Sequence, residues 1–321
     1  MNFENTALNA VIIFNPFAGR GKAEKVAQQS KKHLEQHDWL VRAVIATEYA
    51  GHTEKVLAKE WAESVQLIVL IGGDGTLREL VAGLWSDRST KLNVNIGFIP
   101  MGNANVVARE LNIPLKAETA IQLLTTGTAQ KVDIFILKQK SQNDLVFLAM
   151  LEIGFGAKIV QLVDRLRNGA LKTLYQFWGD LVYAIAGALA LRNLGRHSFD
   201  AKIEQENHSQ TNSVTSTHCV IANMQTYAKG WSLTPEACCN DGLIDIAISK
   251  QSNAWAVLRT FLAASQKRKL NASLMSYQKT KCVSISSESP LFVQVDGDPI
   301  SFSGEAEVCV EKDAFSILVN T

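Results

Sequence analysis

Cysteine is sparse in this sequence, and its arrangement excludes a disulfide-dense or zinc-built scaffold. Cys219, Cys238, Cys239, Cys282 and Cys309 are odd in number and contain no CxxC spacing. Reduced thiols are therefore expected, as in a cytosolic chain. Charge of one sign is not in excess either. Thirty-two Lys and Arg residues face 31 Asp and Glu, a formal net charge of +1, which argues against a nucleic-acid binder held by a global positive field. The N-terminal run MNFENTALNAVIIFNP lacks the basic start and the apolar stretch of a signal peptide, so secretion is not expected. Only residues 174–191 form a long apolar run. Asp180 interrupts it and its length is marginal for a bilayer span, so it reads as a helix buried between domains or lying near a membrane surface.

What is present is enough apolar material for more than one core. The chain has 321 residues, 47% of them hydrophobic and 20% charged, and this length predicts two domains. From the N-terminus, apolar runs and helical periodicity alternate. Strands are predicted at 10–14, 40–47, 67–71 and 94–99, and helices at 22–36, 52–63, 76–85, 105–111 and 118–125. Short continuous apolar runs separated by helices indicate a parallel sheet covered on both faces.

After Gly127 the rhythm changes. Strands are predicted at 132–138, 145–152, 201–206, 217–223, 243–248, 282–286, 291–295, 306–310 and 316–319. Helical stretches at 157–194, broken near Asn168-Gly169, and at 254–269 interrupt them. Residues 205–216 read as an exposed loop or hairpin tip. The expected fold is an α/β N-terminal domain with a parallel sheet over 1–128 and a β-rich sandwich domain over 129–305. The C-terminal strands 306–321 are expected to return to the first domain.

Three predicted strands run into small, polar, helix-opening loops. The sequence LIVLIGGDGTLRE carries Gly72-Gly73-Asp74-Gly75-Thr76 between a buried strand and a helix. Backbone without side chains approaches phosphate oxygens closely, and the N–H groups of a new helix point at the same place. Neither the GxxxxGK[ST] nor the GxGxxG spacing is present. Asp74 cannot attract phosphate by its charge and is read as reaching a magnesium ion on the nucleotide. Asn15-Pro16 followed by Gly19 and Gly21 forms a second such loop, and Gly102-Asn103-Ala104-Asn105 a third. All three fall on the carboxyl edge of one sheet, where open α/β sheets bind ligands. His33 and His37 are four residues apart on a helix but are surrounded by lysines, and read as a solvated face.

With these elements the sequence resembles the diacylglycerol kinase catalytic-domain family, in its bacterial lipid-kinase branch with sphingosine and ceramide kinase relatives. The family's NPxxG, GGDGT and GTxN elements match the three loops in order. Its C-terminal elements match Gly154-Phe155 with Ala157, Ile221-Ala222-Asn223, Asn240-Asp241-Gly242-Leu243 and the run VQVDGDP that ends in Pro299. The resemblance implies an active site between a nucleotide domain and a β-rich domain. It implies ATP contacts from Thr47, from Gly72 through Thr76 and from Glu79, and a metal held by Asp241 with backbone oxygens of Cys238 and Leu243. It also implies a carboxylate base at Asp298, with Asp296 as substitute or orienter.

Three departures stand in the motifs: Asn103 for the family's Thr, with Val106 where an Asp often follows; Gly156 where Asp is usual; and Asp298 for the family's Glu. The resulting expectation is an ATP- and Mg2+-dependent kinase of a lipid hydroxyl, cytoplasmic or peripheral at the inner membrane surface. Membrane contact is expected through residues 165–183 and through the 254–269 helix, which carries Trp255, Leu258, Phe261 and Leu262 and ends in Lys267-Arg268-Lys269. No nucleic-acid partner is expected, and a homodimer is the one assembly considered. Two other readings stand beside it, a kinase of a soluble substrate such as NAD, which shares GGDGT, and a weakened nucleotide- or lipid-binding regulator.

Overall fold

The computed structural model describes residues 8–49, 51–53, 65–86, 94–140, 142–168, 182, 185–190, 199–205, 212–227, 230–250, 253–266 and 268–320. The chain divides into two compact units, Met1–Asp133 with Lys312–Thr321, and Ile134–Glu311. In chain order the first unit contains β1 (Leu8–Phe14), α1 (Ala23–Glu35), β2 (Trp39–Ala46), β3 (Leu67–Gly72), α2 (Asp74–Ser86), β4 (Asn95–Pro100), α3 (Val106–Glu110), α4 (Ala117–Thr126) and the start of β5 (Thr128–Gln139). In the second lie β6 (Leu145–Phe147), β7 (Met150–Gly154), α5 (Phe155–Asn168), β8 (Phe199–Gln205), β9 (Asn212–Ser216), β10 (His218–Ala222), β11 (Ile244–Ser249), α6 (Ala254–Ser265), β12 (Met275–Thr280) and β13 (Cys282–Val295). The last strand, β14 (Asp298–Val319), begins in the second unit and ends in the first.

The first unit is a parallel sheet in the order β2-β1-β3-β4, extended by the end of β14, where Ser316 and Ile317 pair in parallel with Asn95 and Ile96. Strands β1, β3 and β4 are apolar on both sides because both sides are covered, whereas the edge strand β2 is partly exposed. Ala10, Ile12, Leu67, Val69 and Ile71 pack with Ala23, Val26, Ala27 and Leu34 of α1 and with Ala120, Ile121 and Leu124 of α4. The alternate residues Val11, Ile13, Ile68 and Leu70 are also buried. Each such branched side chain contributes about 1.5–3 kcal/mol over leaving it in water.

The second unit is antiparallel, in the order β12-β11-β10-β7-β13-β14, with the β8–β9 hairpin added along β13 and β6 paired with β5. Alternate residues of these strands, among them Leu151, Ile153, Cys219, Ile221, Ile246, Ile285 and Val293, form its core. Several boundaries differ from those expected. The 145–152 run is two strands. Leu148, Ala149 and Met150 donate their N–H groups to the Asp296 carboxylate at 2.8, 2.9 and 3.0 Å, so the ladder is interrupted there. Strand β12 was not expected, and residues 212–216 form a hairpin arm whose tip lies outside the described residues. The separate strands expected at 282–286 and 291–295 are one strand with an irregularity between Ser287 and Leu291.

Cys282 and Cys309 also depart from the expectation of reduced thiols. They sit directly opposite each other on β13 and β14 and are joined by a disulfide. Most of the expected 52–63 helix, and most of the apolar 174–191 run, lie outside the described residues. Among the described residues no helix is long and apolar enough to cross a membrane.

Asp296 and Gly297 form the two-residue turn between β13 and β14, closed by the Val295–Asp298 pair, and both have positive φ, +49° and +92°. An Asp-Gly pair suits that turn. Asp296→Asn keeps the turn conformation but removes one carboxylate acceptor from three buried donors. We expect a loss of roughly 1–3 kcal/mol in urea unfolding, and an unchanged midpoint would show that the carboxylate does not brace β7.

Candidate active site

In the first unit the three glycine loops are hydrogen-bonded into one surface at the carboxyl ends of β1, β3 and β4. Asn15 donates its N–H to Ile71 O at 2.9 Å, Gly19 to Met101 O at 3.0 Å, and Met101 to Gly72 O at 2.7 Å. Asn15 also accepts from Phe17 N–H through Oδ1, which shapes the first turn. Gly19 has φ +58°, and a Cβ there would run into the Met101 side chain. Thr47 joins the same edge, its N–H bonded to Phe14 O at 2.9 Å.

The closest approach is between the second and third loops. A Cβ on Gly102 would stand 2.8 Å from the Gly73 Cα, and one on Gly73 would stand 3.2 Å from the Gly102 Cα. Only two glycines allow these backbones to cross. Asn105 closes the third loop on itself, its Oδ1 accepting from Gly102 N–H at 3.0 Å and its Nδ2 donating to Gly102 O at 2.9 Å. Asn103 and Ala104 project as the exposed part of that loop.

Asp74 caps a helix other than the one it opens. Its two oxygens accept from Val106 N–H at 3.0 Å and Val107 N–H at 3.2 Å, capping α3 from the second loop. Burial raises its pKa above the ordinary carboxylate value, and the backbone donors oppose that shift. Asp74 and Thr76 are half-buried, Gly75 is exposed, and Glu79 lies one turn into α2, half-buried. The first N–H groups of α2 lack intrahelical acceptors and carry the positive end of its dipole.

The second unit holds the acidic turns. In Asn240-Asp241-Gly242-Leu243 the turn is closed by Leu243 N–H bonding to Asp241 Oδ1 at 2.9 Å. The Lys279 ammonium lies 3.2 Å from Asp241 Oδ2 and 3.2 Å from Asp245 Oδ2, and donates to Glu236 O at 3.0 Å. Lys279 reaches this place because β12 sets it opposite Asp245 in register. Burial works against its charge, but the bonds to Asp241 and Asp245 outweigh burial and raise its pKa, while burial raises that of Asp245.

The expected metal at Asp241, Cys238 and Leu243 therefore does not fit as the residues stand. Both oxygens of the carboxylate are already engaged, Oδ1 by the Leu243 N–H at 2.9 Å and Oδ2 by the Lys279 ammonium at 3.2 Å, which also neutralises its charge. The cleft beside Lys279, lined by Thr234, Glu236, Asp245 and Tyr277 among others, measures about 160 Å³. That is below the roughly 300–1,000 Å³ of sites for drug-sized ligands, and it is not read as the nucleotide site. Asp298 stands exposed just after the Asp296-Gly297 turn, whereas Asp296 is occupied by the three N–H groups of residues 148–150.

Glu152, Gln294 and Lys279 were not singled out from the sequence, because the groups they meet are remote in the chain. The separation between Gln294 and Glu152 is 142 residues.

A parallel α/β unit with glycine loops joined at one sheet edge, followed by an antiparallel unit with acidic turns, is the architecture to be compared with known proteins. Residues 9–137 match the diacylglycerol kinase catalytic domain, and residues 150–318 match the YegS C-terminal NAD kinase beta sandwich-like domain. The chain belongs to the diacylglycerol kinase catalytic-domain family with a YegS-type C-terminal domain. It is 27% identical to a diacylglycerol kinase of Staphylococcus carnosus over 90% of this chain and 88% of that one. It is 28% identical to a Xanthomonas oryzae protein named "Probable lipid kinase YegS-like", over 78% and 77% of the two chains. A solved structure of a diacylglycerol kinase from Bacillus anthracis has the same fold, with a TM-score of 0.70, 20% identity and 97% coverage of both chains.

Two outcomes follow from this geometry. Gly102→Ala places a methyl group against the Gly73 backbone and should cost about 1–3 kcal/mol of stability. If these loops hold a nucleotide, it should also weaken ATP binding about tenfold by calorimetry, the equivalent of one lost hydrogen bond of about 1.4 kcal/mol. Unchanged ATP affinity would separate the glycine crossing from nucleotide binding. At the acidic turn, a chelator should leave the thermal midpoint unchanged, whereas Lys279→Met should lower it by a few degrees and make it respond to millimolar Mg2+ or Ca2+. Because the Lys279 pKa is raised, its stabilising effect is complete below the ordinary lysine pKa and is lost as pH rises through the folded value.

Proposed function

We propose that this chain transfers the γ-phosphate of ATP to the hydroxyl of a lipid. The observation that carries this reading is the knitting of three glycine loops onto one sheet edge, in a chain of this kinase family. The Gly72–Gly73 segment and the first turn of α2 present backbone N–H groups to the phosphates, and the loop carrying Gly19 presents its own turn beside them. Asn103, Glu79 and Thr47 supply polar side chains around the nucleotide.

Asp74 fits a magnesium ion that travels with ATP. It is a half-buried carboxylate each of whose oxygens uses one lone pair on α3, and magnesium on a nucleotide needs only one or two protein carboxylates. When bound, such an ion neutralises charge on the β- and γ-phosphates. Asp298 takes the proton from the lipid hydroxyl. Its shorter side chain, relative to Glu, shifts the carboxylate by about an ångström, so the hydroxyl must sit correspondingly closer.

Access to a lipid is supported by α6. Trp255, Arg259 and Leu262 recur at helical spacing and are exposed, Trp255 at 75% and Leu262 at 60%. An exposed tryptophan and leucine flanking an arginine suit the interface of an anionic bilayer, and peripheral contact at the inner membrane surface is part of this reading.

The experiment is phosphorylation of a panel of diacylglycerol, monoacylglycerol, phosphatidylglycerol, ceramide and sphingoid bases with Mg-ATP. One lipid should be labelled, and Asp298→Asn should lower its turnover about 10²–10⁴-fold, the usual contribution of a general base. ATP binding without labelling of any lipid would contradict the proposal.

A further inference from the structure

Glu152 is fully buried on β7, where a lone carboxylate would be very costly. Three side chains surround it. Tyr227 Oη donates to both oxygens at 3.0 and 3.1 Å, Gln294 Nε2 donates to Oε2 at 2.9 Å, and His218 Nε2 stands 2.7 Å from Oε1. Gly156 makes the room, since a Cβ there would collide with the Glu152 carboxylate. Nearby Cys219 is itself buried, and burial together with the Glu152 charge pushes its pKa up to about 12, so its thiol is inert.

Gln294, also buried, lies opposite Glu152 in the β13–β7 register. Its other amide atom, Oε1, accepts the Gly297 N–H at 2.7 Å. An ionised carboxylate only accepts hydrogen bonds, so Glu152 fixes which end of the Gln294 amide faces it. The carbonyl end is thereby aimed at Gly297, the residue before Asp298. The two-residue Asp-Gly turn needs no such help to form, because its residue types already favour it. Yet it is held twice, at Asp296 by the N–H groups of residues 148–150 and at Gly297 by Gln294.

We propose that Glu152 and Gln294 are positioning residues for Asp298. By fixing the Gln294 amide, Glu152 holds the Gly297 peptide, and through it the direction in which the exposed Asp298 carboxylate points. This inference rests on Asp298 being the proton acceptor. A catalytic group must be held within about 0.5 Å of its working position by residues that are themselves locked, and an aspartate in place of a glutamate has less reach to correct an error.

Glu152→Gln is close to isosteric but offers Gln294 a donor as well as an acceptor, so the Gln294 carbonyl is no longer committed to Gly297. Gln294→Met removes the link outright. In both variants kcat for the labelled lipid should fall about 10–100-fold, as small misplacements of catalytic groups do, with KM for ATP unchanged. The double variant should be no slower than Gln294→Met, because Glu152 acts through Gln294. Exchange of the Gly297 amide, read by NMR without any substrate, should quicken at least about tenfold in Glu152→Gln, as expected for a loss near 1.4 kcal/mol.

Unchanged amide exchange, a wild-type kcat, or additive losses in the double variant would overturn the proposal. The two readings fail separately. If Asp298→Asn keeps full turnover, the proton acceptor lies elsewhere and this inference falls with it. If Asp298→Asn is slow while Glu152→Gln is as fast as wild type, only the positioning role fails.

Discussion

The first unit depends on the crossing of two backbones at Gly73 and Gly102. Loops from β3 and β4 can share one surface only if neither carries a side chain where they meet, and a Cβ on Gly102 would stand 2.8 Å from the Gly73 Cα. From that crossing the rest follows in short steps. Met101 bonds to Gly72 on one side and to Gly19 on the other, and Asp74 reaches across to cap α3. On the proposed reading, a phosphate seated there would be held by the placement of the main chain rather than by charged side chains, which suits a ligand whose oxygens accept hydrogen bonds from N–H groups.

A second theme is the use of acidic and amide side chains as internal braces. Asp74, Asn105, Asp296 and Glu152 all spend their oxygens on donors within the protein. Asp241 likewise spends its oxygens on Leu243 and Lys279. Of the acidic groups that the sequence marks as chemical, Asp298 is the one that stands exposed at a turn. The division is physical. A carboxylate whose lone pairs are occupied by fixed donors is a poor proton acceptor but a good anchor.

The parallel sheet was legible in the sequence because its strands are short apolar runs, LIVLI above all, and because glycine clusters end them. The glycine loops were legible for the same reason, since no bulky residue could occupy them. The strand β12 was not legible, because Met275–Thr280 reads MSYQKT, with little apolar alternation. Polar β9 reads from its sequence as part of an exposed loop or hairpin tip, and the 22 residues of β14 read as separate strands because exposed polar residues divide their apolar positions. Lys279, Glu152 and Gln294 escaped notice because their partners come from strands dozens to more than a hundred positions away, as with the 148 residues between Leu148 and Asp296. The pairing of Cys282 with Cys309 likewise required the β13–β14 register, which cysteine spacing alone does not show.

The most direct test is hydrogen–deuterium exchange with and without Mg-ATP. A triphosphate seated on the glycine loops should slow exchange at the amides of residues 72–76 and 102–107 and leave strands β8 and β9 of the second unit unchanged. Nucleotide binding that leaves both of those loops as exchangeable as before would contradict the central claim.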